Sequence, residues 1–299
     1  MQQNETFISP GHSIFRHLPG LRKGSVLRRL LGIKLAVFGM VFITVTVVGG
    51  VFAPVFAPYD PNGLITYTAE TPSSAHPLGT DPIGRDQLSR LLFGARASLQ
   101  VSFLAAAIAI LAGSVLGLLA AYFKGFVDFI IMRTVDAMLA LPGLILPLVL
   151  LAALGGGIAT VAIALGIGYT PVIARLMRVQ ALSVQERDYV LAALSIGASP
   201  QRVMFRHIAP NSLAPIIVAG SLAMSFAVIA EAGLSFLGVG ITPPTATWGA
   251  MLATGFAYIR RSPWVVVAPG TAIFLLVLSF NFLGDALRDV LDPRLRGKV

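Results

Sequence analysis

Six runs of roughly 20 residues with almost no charge divide this chain, and a helix needs about that length to cross a bilayer's hydrocarbon core. They are Leu35 to Phe56, Val101 to Tyr122, Met132 to Leu154, Ile158 to Leu176, Ser212 to Ala232 and Trp264 to Leu283. Inside lipid no water completes a backbone hydrogen bond, so each run must bond internally as a helix or join a closed barrel. Barrel strands alternate polar and apolar residues, and these runs do not. Composition agrees: 56% of the 299 residues are hydrophobic and only 12% charged, where a soluble domain carries about 25% charged residues. The expected fold class is all-α, a polytopic membrane protein with about six transmembrane helices. The first run is too long for a signal-peptide core, and no small-residue cleavage pattern follows it in VFAPVFAPYD, so it is expected to be retained. Cysteine is absent, which excludes disulfides, thiolate catalysis and Cys-ligated metals.

Lysine and arginine set the expected orientation. With the N-terminus cytoplasmic, 17 of the 22 basic residues fall on the inner side, and Arg85, Arg90, Arg96, Arg260 and Arg261 are left outside. The positive-inside rule favours that arrangement, with both termini cytoplasmic. The formal charge of +9 is then a topology signal. The basic N-terminal tail reads as a solvated segment near anionic headgroups, and no nucleic-acid partner is expected.

Two connections on the expected outer side are long. Ala57 to Ala97 begins turn-rich and then places Leu88, Leu91, Leu92 and Ala95 at helical spacing, which predicts an amphipathic helix at the outer surface. Leu237 to Pro263 holds paired prolines and a tryptophan. Both are too rich in Trp, Leu and Pro for disordered linkers, and they read as an ordered docking surface. Asp81, Gly84, Arg85, Asp86 and Trp248 are the candidate external docking residues.

On the expected inner side, DYVLAALSIGASPQRVMFRHIAPN separates the fourth and fifth runs. Asp188 to Ile196 consists of helix formers, with Val190, Ala193, Leu194 and Gly197 along one side, and Gly197 suits the left-handed position past a helix end. Ser199 is a favoured N-cap and Pro200 fits the first helical position, so a second short helix is expected to run until Pro210. The outer face of this module is expected to be small and apolar (Ala192, Ala193, Ala198), flanked by Arg187, Arg202 and Arg206.

The segment resembles the cytoplasmic coupling motif of bacterial ABC importer permeases, Glu-Ala-Ala, then Gly, then a Leu-Pro-like ending. It is met here by Leu191, Ala192, Ala193, Gly197 and Ile208-Ala209-Pro210, with Leu191 departing from the motif's Glu. LGTDPIGRDQLSRLLFGARASL (Leu78 to Leu99), EAGLSFLGVGITPPTATWGAML (Glu231 to Leu252) and GDALRDVLDPRLRG (Gly284 to Gly297) narrow the resemblance to the C-type permease subunit of dipeptide and oligopeptide importers. It implies a type I ABC importer permease fold with a cytoplasmic coupling helix between spans 4 and 5. The implied divisions are an N-terminal tail over 1–34, a first span with its external loop over 35–96, a core transmembrane domain over 97–289, and a C-terminal tail over 290–299.

The resemblance also implies partners: a second homologous permease, two cytoplasmic ATP-binding subunits and an extracytoplasmic solute-binding protein, in a lipid membrane. ATP-site chemistry is absent from this chain, which has no Gly-x-x-x-x-Gly-Lys-[Ser/Thr] run. No cofactor is expected on it, with ATP and Mg held by the partner subunits. The implied ATPase-coupling residues are Tyr189, Leu191, Ala192, Ala193, Gly197, Ala198, Ser199, Arg202 and Pro210.

Within the spans, Ala105, Ala109, Gly113, Gly117 and Ala121 form an i, i+4 ladder of small residues, which lets helices approach closely. Pro142 with Gly143, then Pro147, should kink the third span, either toward a pathway or as a packing irregularity. Intramembrane ionisable groups are costly and need an account. Asp136 lies one turn from Arg133, so a local ion pair is expected, with a path-lining role as the alternative. Glu231 is assigned to structure or gating, with contact to a substrate amine as the alternative. Asn281 is expected to hydrogen-bond a neighbouring helix. His12, His17, His76 and His207 lack paired ligand spacing, and no metal site is expected. A proton-coupled secondary transporter using Asp136 or Glu231 is the competing function, though no internal repeat supports it. An enzyme lacks any Gly-x-Ser-x-Gly or His-Glu-x-x-His signature. A helix-turn-helix reading of Asp188 to Ile208 would tether the DNA reader to membrane at both ends.

Overall fold

The computed structural model describes residues 26–65 and 68–291. Most of the N-terminal tail, with His12 and His17, and the C-terminal tail from Asp292 lie outside the described residues. The elements are α1 (Val26–Leu30), α2 (Lys34–Val51), α3 (Ala53–Phe56), α4 (Gln87–Phe123), α5 (Gly125–Leu139), α6 (Ile145–Leu154) and α7 (Ile158–Gln185). They continue as α8 (Asp188–Ser195), α9 (Pro200–Arg202), a π-helical segment (Val203–Ile208), α10 (Ala209–Phe236), α11 (Trp248–Phe256) and α12 (Trp264–Leu291). Among the described residues five helices are long and apolar enough to cross a membrane, the fourth of them being the continuous stretch Pro200–Phe236.

The third apolar run is divided rather than merely kinked. The helix is interrupted between α5 and α6 at Ala140 to Leu144, around Pro142 and Gly143. Pro142 has no N–H to donate, and its ring opposes a helical residue before it, so the first half ends there. The carbonyl of Pro142 instead accepts from the Ile145 N–H at 2.8 Å and opens α6.

The small-residue ladder builds the centre. Ala105, Ala109, Gly113, Gly117 and Ala121 are all buried on α4 and face α7. A Cβ added at Gly113 would lie 2.6 Å from the Ile173 Cβ, and one at Gly117 would lie 2.8 Å from the Met177 Cβ. Gly166 of α7 returns the same contact toward Ile108. Because residue numbers rise together along both helices, α4 and α7 are parallel, and their C-terminal ends meet where the Gln185 amide donates to the Ala121 carbonyl. α10 closes on this pair, while α12 and α2 pack outside it through Gly39 against Ser279 and Gly50 against Arg96.

Two helix boundaries differ from expectation. The amphipathic stretch around Leu88 to Ala95 is not a separate surface helix but the first turns of α4, whose 37 residues make a rod of about 55 Å, well beyond a hydrocarbon core of about 30 Å. Its polar residues Gln87, Ser89 and Arg90 are buried by the preceding loop and α12, which is why amphipathicity alone misplaces them.

The second helix of the inner module does not stop at Pro210. The chain widens into a π turn just before it, and the Ala209 N–H donates five residues back to the Met204 carbonyl. Widening gives the proline ring room that an α turn would deny it. Side chains serve carbonyls in this region, with the Asn211 amide bonding His207 at 2.7 Å and the Ser212 hydroxyl bonding Ile208 at 3.0 Å.

Candidate functional site

At one end of the bundle α8 stands off from α7 as a short, separately capped helix. Its end is a Schellman motif: Gly197, at φ +78°, donates to the Leu194 carbonyl, and Ala198 donates to the Ala193 carbonyl at 3.1 Å. Ser199 occupies the next N-cap position in an extended conformation, although its hydroxyl makes no capping bond, and Pro200 begins α9. The short helix α8 and its fixed glycine turn are therefore present as the sequence suggests, whereas the helix that begins at Pro200 is long, not short.

The faces are arranged differently. Val190 and Ala193 are buried against Met177, Ala181, Val203 and Met204, with Ala198 packed alongside. Of the three alanines expected outside, only Ala192 is exposed. The outward surface is larger and more apolar than expected, formed by Tyr189, Leu191, Leu194 and Ile196, the last 86% exposed. Leu191 stands in the open middle of this surface, half exposed, so the position where the motif carries Glu contributes hydrocarbon here. Arg187, Arg202 and Arg206 are exposed around it.

The opposite end carries the loop before α4 and the segment between α10 and α11. Asp81 accepts from the backbone N–H groups of Ile83 and Arg85 at 2.9 Å and from Arg85 Nε at 2.6 Å, closing a tight turn through Gly84 at φ +87°. Arg90 reaches the Pro61 carbonyl at 2.9 Å and lies 3.7 Å from Asp81. Asp86 caps α4, accepting from the Ser89 N–H and hydroxyl, and its other oxygen lies 2.9 Å from His76 Nδ1. Trp248 fits against Gly94 and donates from Nε1 to the Leu91 carbonyl at 2.9 Å.

These contacts correct the docking assignment. Asp81, Gly84, Asp86 and Trp248 are buried and Arg85 is mostly so, because each carries bonds that hold the loop to the helix ends. They shape the surface and do not present themselves on it. The outward residues at this end include Ile83, Leu237, Tyr258, Ile259 and Trp264.

The ionisable groups within the helices find partners that local spacing does not indicate. Asp136 pairs with Arg175 of α7, not with Arg133, which lies over the Phe129 ring at 5.4 Å. One turn away, Arg178 makes two hydrogen bonds to Asp128. Arg133 and Asp136 share the solvent-facing side of α5, where a residue on α7 can approach Asp136 directly. Arg175 and Arg178 lie beyond or at the edge of the fourth apolar run, yet α7 continues to Gln185 and carries both alongside α5. The i, i+3 spacing of the two arginines against the eight-residue spacing of Asp128 and Asp136 was the available signal.

Glu231 is fully buried. Its oxygens accept from the Ser235 hydroxyl at 2.8 Å and the Ser98 hydroxyl at 3.3 Å, linking α10 to α4, and Ser235 in turn accepts from the Ile241 N–H. No cationic side chain pairs with it among the described residues, and its surroundings are sealed, which favours the structural assignment over contact with a substrate amine. Asn281 donates to the Val277 carbonyl of its own helix at 2.9 Å and not to a neighbour, sharing that acceptor with the Ser225 hydroxyl of α10 at 3.3 Å. Pro142 lies at the exposed α5–α6 break. Among the described residues no group of three His, Cys, Asp or Glu side chains could hold a metal ion.

Residues 113–297 match the family described as binding-protein-dependent transport system inner membrane component, and residues 24–77 match the N-terminal TM domain of oligopeptide transport permease C. The dipeptide transport system permease protein of Alkalihalophilus pseudofirmus is 40% identical over 268 residues, 88% of this chain and 87% of the relative. The glutathione transport system permease protein of Pectobacterium atrosepticum is 41% identical over 271 residues, 90% of each chain. The di/tripeptide transport system permease protein of Pseudomonas aeruginosa is 43% identical over 270 residues, 88% of this chain and 89% of the relative. In fold, the chain is similar to the crystal structure of an amino acid ABC transporter with histidines, with a TM-score of 0.52 at 19% identity, covering 67% of this chain and 92% of that one.

Proposed function

The chain belongs to the family of binding-protein-dependent transport system inner membrane components, and from that premise we propose that it is the permease subunit of an ABC importer for peptides. It is a multi-pass membrane protein, non-catalytic itself. It forms a pathway together with a second, homologous permease, and two ATP-binding subunits holding ATP and Mg drive it from the cytoplasm. A solute-binding protein delivers peptide on the other side. The α8 end and both termini are cytoplasmic, in line with the excess of lysine and arginine there.

The observation that carries this reading is the separately capped α8 with its apolar outward face. Tyr189, Leu191, Leu194 and Ile196 expose hydrocarbon on a short rigid helix, a patch that suits insertion into a partner's groove. ATPase closure pulls on α8, and the unbroken helix from Pro200 to Phe236 passes that motion into the bundle as tilting, giving alternating access. Glutathione, dipeptide and di/tripeptide relatives make a short peptide or peptide-like solute the expected cargo, with selection among them resting largely on the binding protein. The proton-carrier alternative draws no support, since Asp136 is paired with arginine and Glu231 is enclosed by hydroxyls.

The test is gentle purification of the tagged chain from its native membrane, mass spectrometry of what accompanies it, and an ATPase assay of the eluate. Recovery of a second permease and ATP-binding subunits with ATP hydrolysis is the expected result. A lone chain without ATPase, under conditions that preserve a known importer, would overturn it.

A further inference from the structure

The α5–α7 face gathers more charge than the packing of the bundle requires. On α5, Asp128, Phe129, Met132, Arg133 and Asp136 line one open groove of about 370 Å³, a size within the range of small-molecule sites, about 300–1,000 Å³. The remaining side of the helix is apolar, with Phe126 and Ile130 exposed. Asp128 is engaged on both oxygens by Arg178, whose exposure is under a third, and this pair is a structural tie between the helices.

The second pair is differently placed. Arg175 and Asp136 are 54% and 49% exposed in their side chains, and Asp136 accepts from Arg175 through one oxygen only, at 2.5 Å. Arg133 is exposed and has no acidic partner among the described residues, only the Phe129 ring beneath it. Charges this open cannot face hydrocarbon, where one costs about 2.5–3.5 kcal/mol on insertion scales. The groove therefore opens onto water or a solute path, and with Arg175 and Arg178 counted beside its lining, three cations meet two anions, which leaves Arg133 without a carboxylate.

We infer that this groove is a dipolar subsite for short zwitterionic peptides, with Arg133 taking the terminal carboxylate and the free oxygen of Asp136 taking the terminal ammonium. The assignment rests on the peptide-importer reading and deepens it. Arg133 turns back along α5 onto Phe129 while Asp136 leans across toward α7, so the two charges diverge along the groove they both line, and an extended dipeptide spans about 7 Å. Phe129 lies under Arg133, and Met132 lines the same groove. A thioether and a ring accept varied side chains without demanding one shape, which suits a site that reads peptide ends and tolerates what lies between.

The experiment uses the complete assembly of permeases and ATP-binding subunits, in proteoliposomes for uptake and in nanodiscs for binding, with L-alanyl-L-alanine and tri-L-alanine as probes, each also N-acetylated and C-amidated. ATP-driven uptake by the wild-type assembly with its binding protein is measured first, and its absence for both free peptides would overturn the importer reading and this one together. Equilibrium binding to the nucleotide-free assembly without binding protein is measured next. Blocking either terminus should weaken binding to the wild type by about tenfold, the loss of one charge-assisted hydrogen bond. Arg133→Gln should erase the preference for a free carboxylate and keep that for a free amine, Asp136→Asn should do the reverse, and Arg133→Lys should recover part of the carboxylate preference. Equal binding of free and blocked peptides by the wild type, or no binding while uptake proceeds, sinks the subsite and leaves the importer standing. So does an Arg133→Gln assembly that weakens free and amidated peptides alike.

Discussion

Gly197 separates what the backbone needs from what a partner surface needs. Its φ of +78° lies in the left-handed region, and a Cβ added there meets nothing within 4 Å. Substitution therefore carries a conformational cost and no steric one, about 1–2 kcal/mol for an ordinary L-residue and less for Asn or Asp, whose short polar side chains tolerate that region. The core anchors of α8, Val190 and Ala193, are untouched by any of these changes, so the helix stays docked on α7 and the protein should remain in the membrane. Gly197→Asn should then keep most peptide uptake and Gly197→Ala should lose some. Gly197→Asp should abolish it, because its carboxylate lies beside the bare Ile196 and would be desolvated under any subunit that covers α8. The assay is ATP-driven uptake in proteoliposomes normalised to membrane protein level. Normal uptake by Gly197→Asp would refute the coupling assignment. Equal loss in all three variants would show that the left-handed turn, and not the charge, is what matters.

Two further outcomes follow from the helix interior. Gly113→Val should prevent stable assembly, because its new atoms would overlap Ile173 and the Thr170 carbonyl, at 2.6 and 2.8 Å from the Cβ alone. Overpacking of that kind costs about 1–3 kcal/mol or more, and a thermal unfolding midpoint at the wild-type value would contradict the seam. Glu231→Gln keeps hydrogen-bonding capacity toward Ser98 and Ser235 and should retain at least partial transport, whereas Glu231→Leu should lower stability; complete loss of uptake by an intact Glu231→Gln assembly would show that charge itself acts there.

Whatever depends on neighbours in sequence was readable from the chain. The end of α8 follows from Gly197, the start of α9 from Ser199-Pro200, and the closely packed face of α4 from five small residues at i, i+4 spacing, since caps and ladders are local chemistry. Partner choice was not readable. Arg133 is the nearest cation to Asp136 in sequence, yet α7 brings Arg175 to it, and only tertiary packing decides that. The docking residues were misjudged for the same reason: a loop rich in Asp and Arg reads as surface until Asp81 and Asp86 are seen spending their oxygens on backbone N–H groups. Pro210 reads as a stop because a proline ring ends an α turn, and the π turn that accommodates it leaves no mark in hydrophobic periodicity.

That π turn has a mechanical consequence. By carrying the chain past Pro210 without a break, it leaves one helix of 37 residues from Pro200 to Phe236, about 55 Å end to end. Treated as a stiff lever pivoting at its α8 end, the rod moves Phe236 sideways by about 1 Å for each degree of tilt. A rotation of only about ten degrees at that pivot would carry the far end, with Glu231 and the loop it holds, through about 10 Å, roughly the width of a helix.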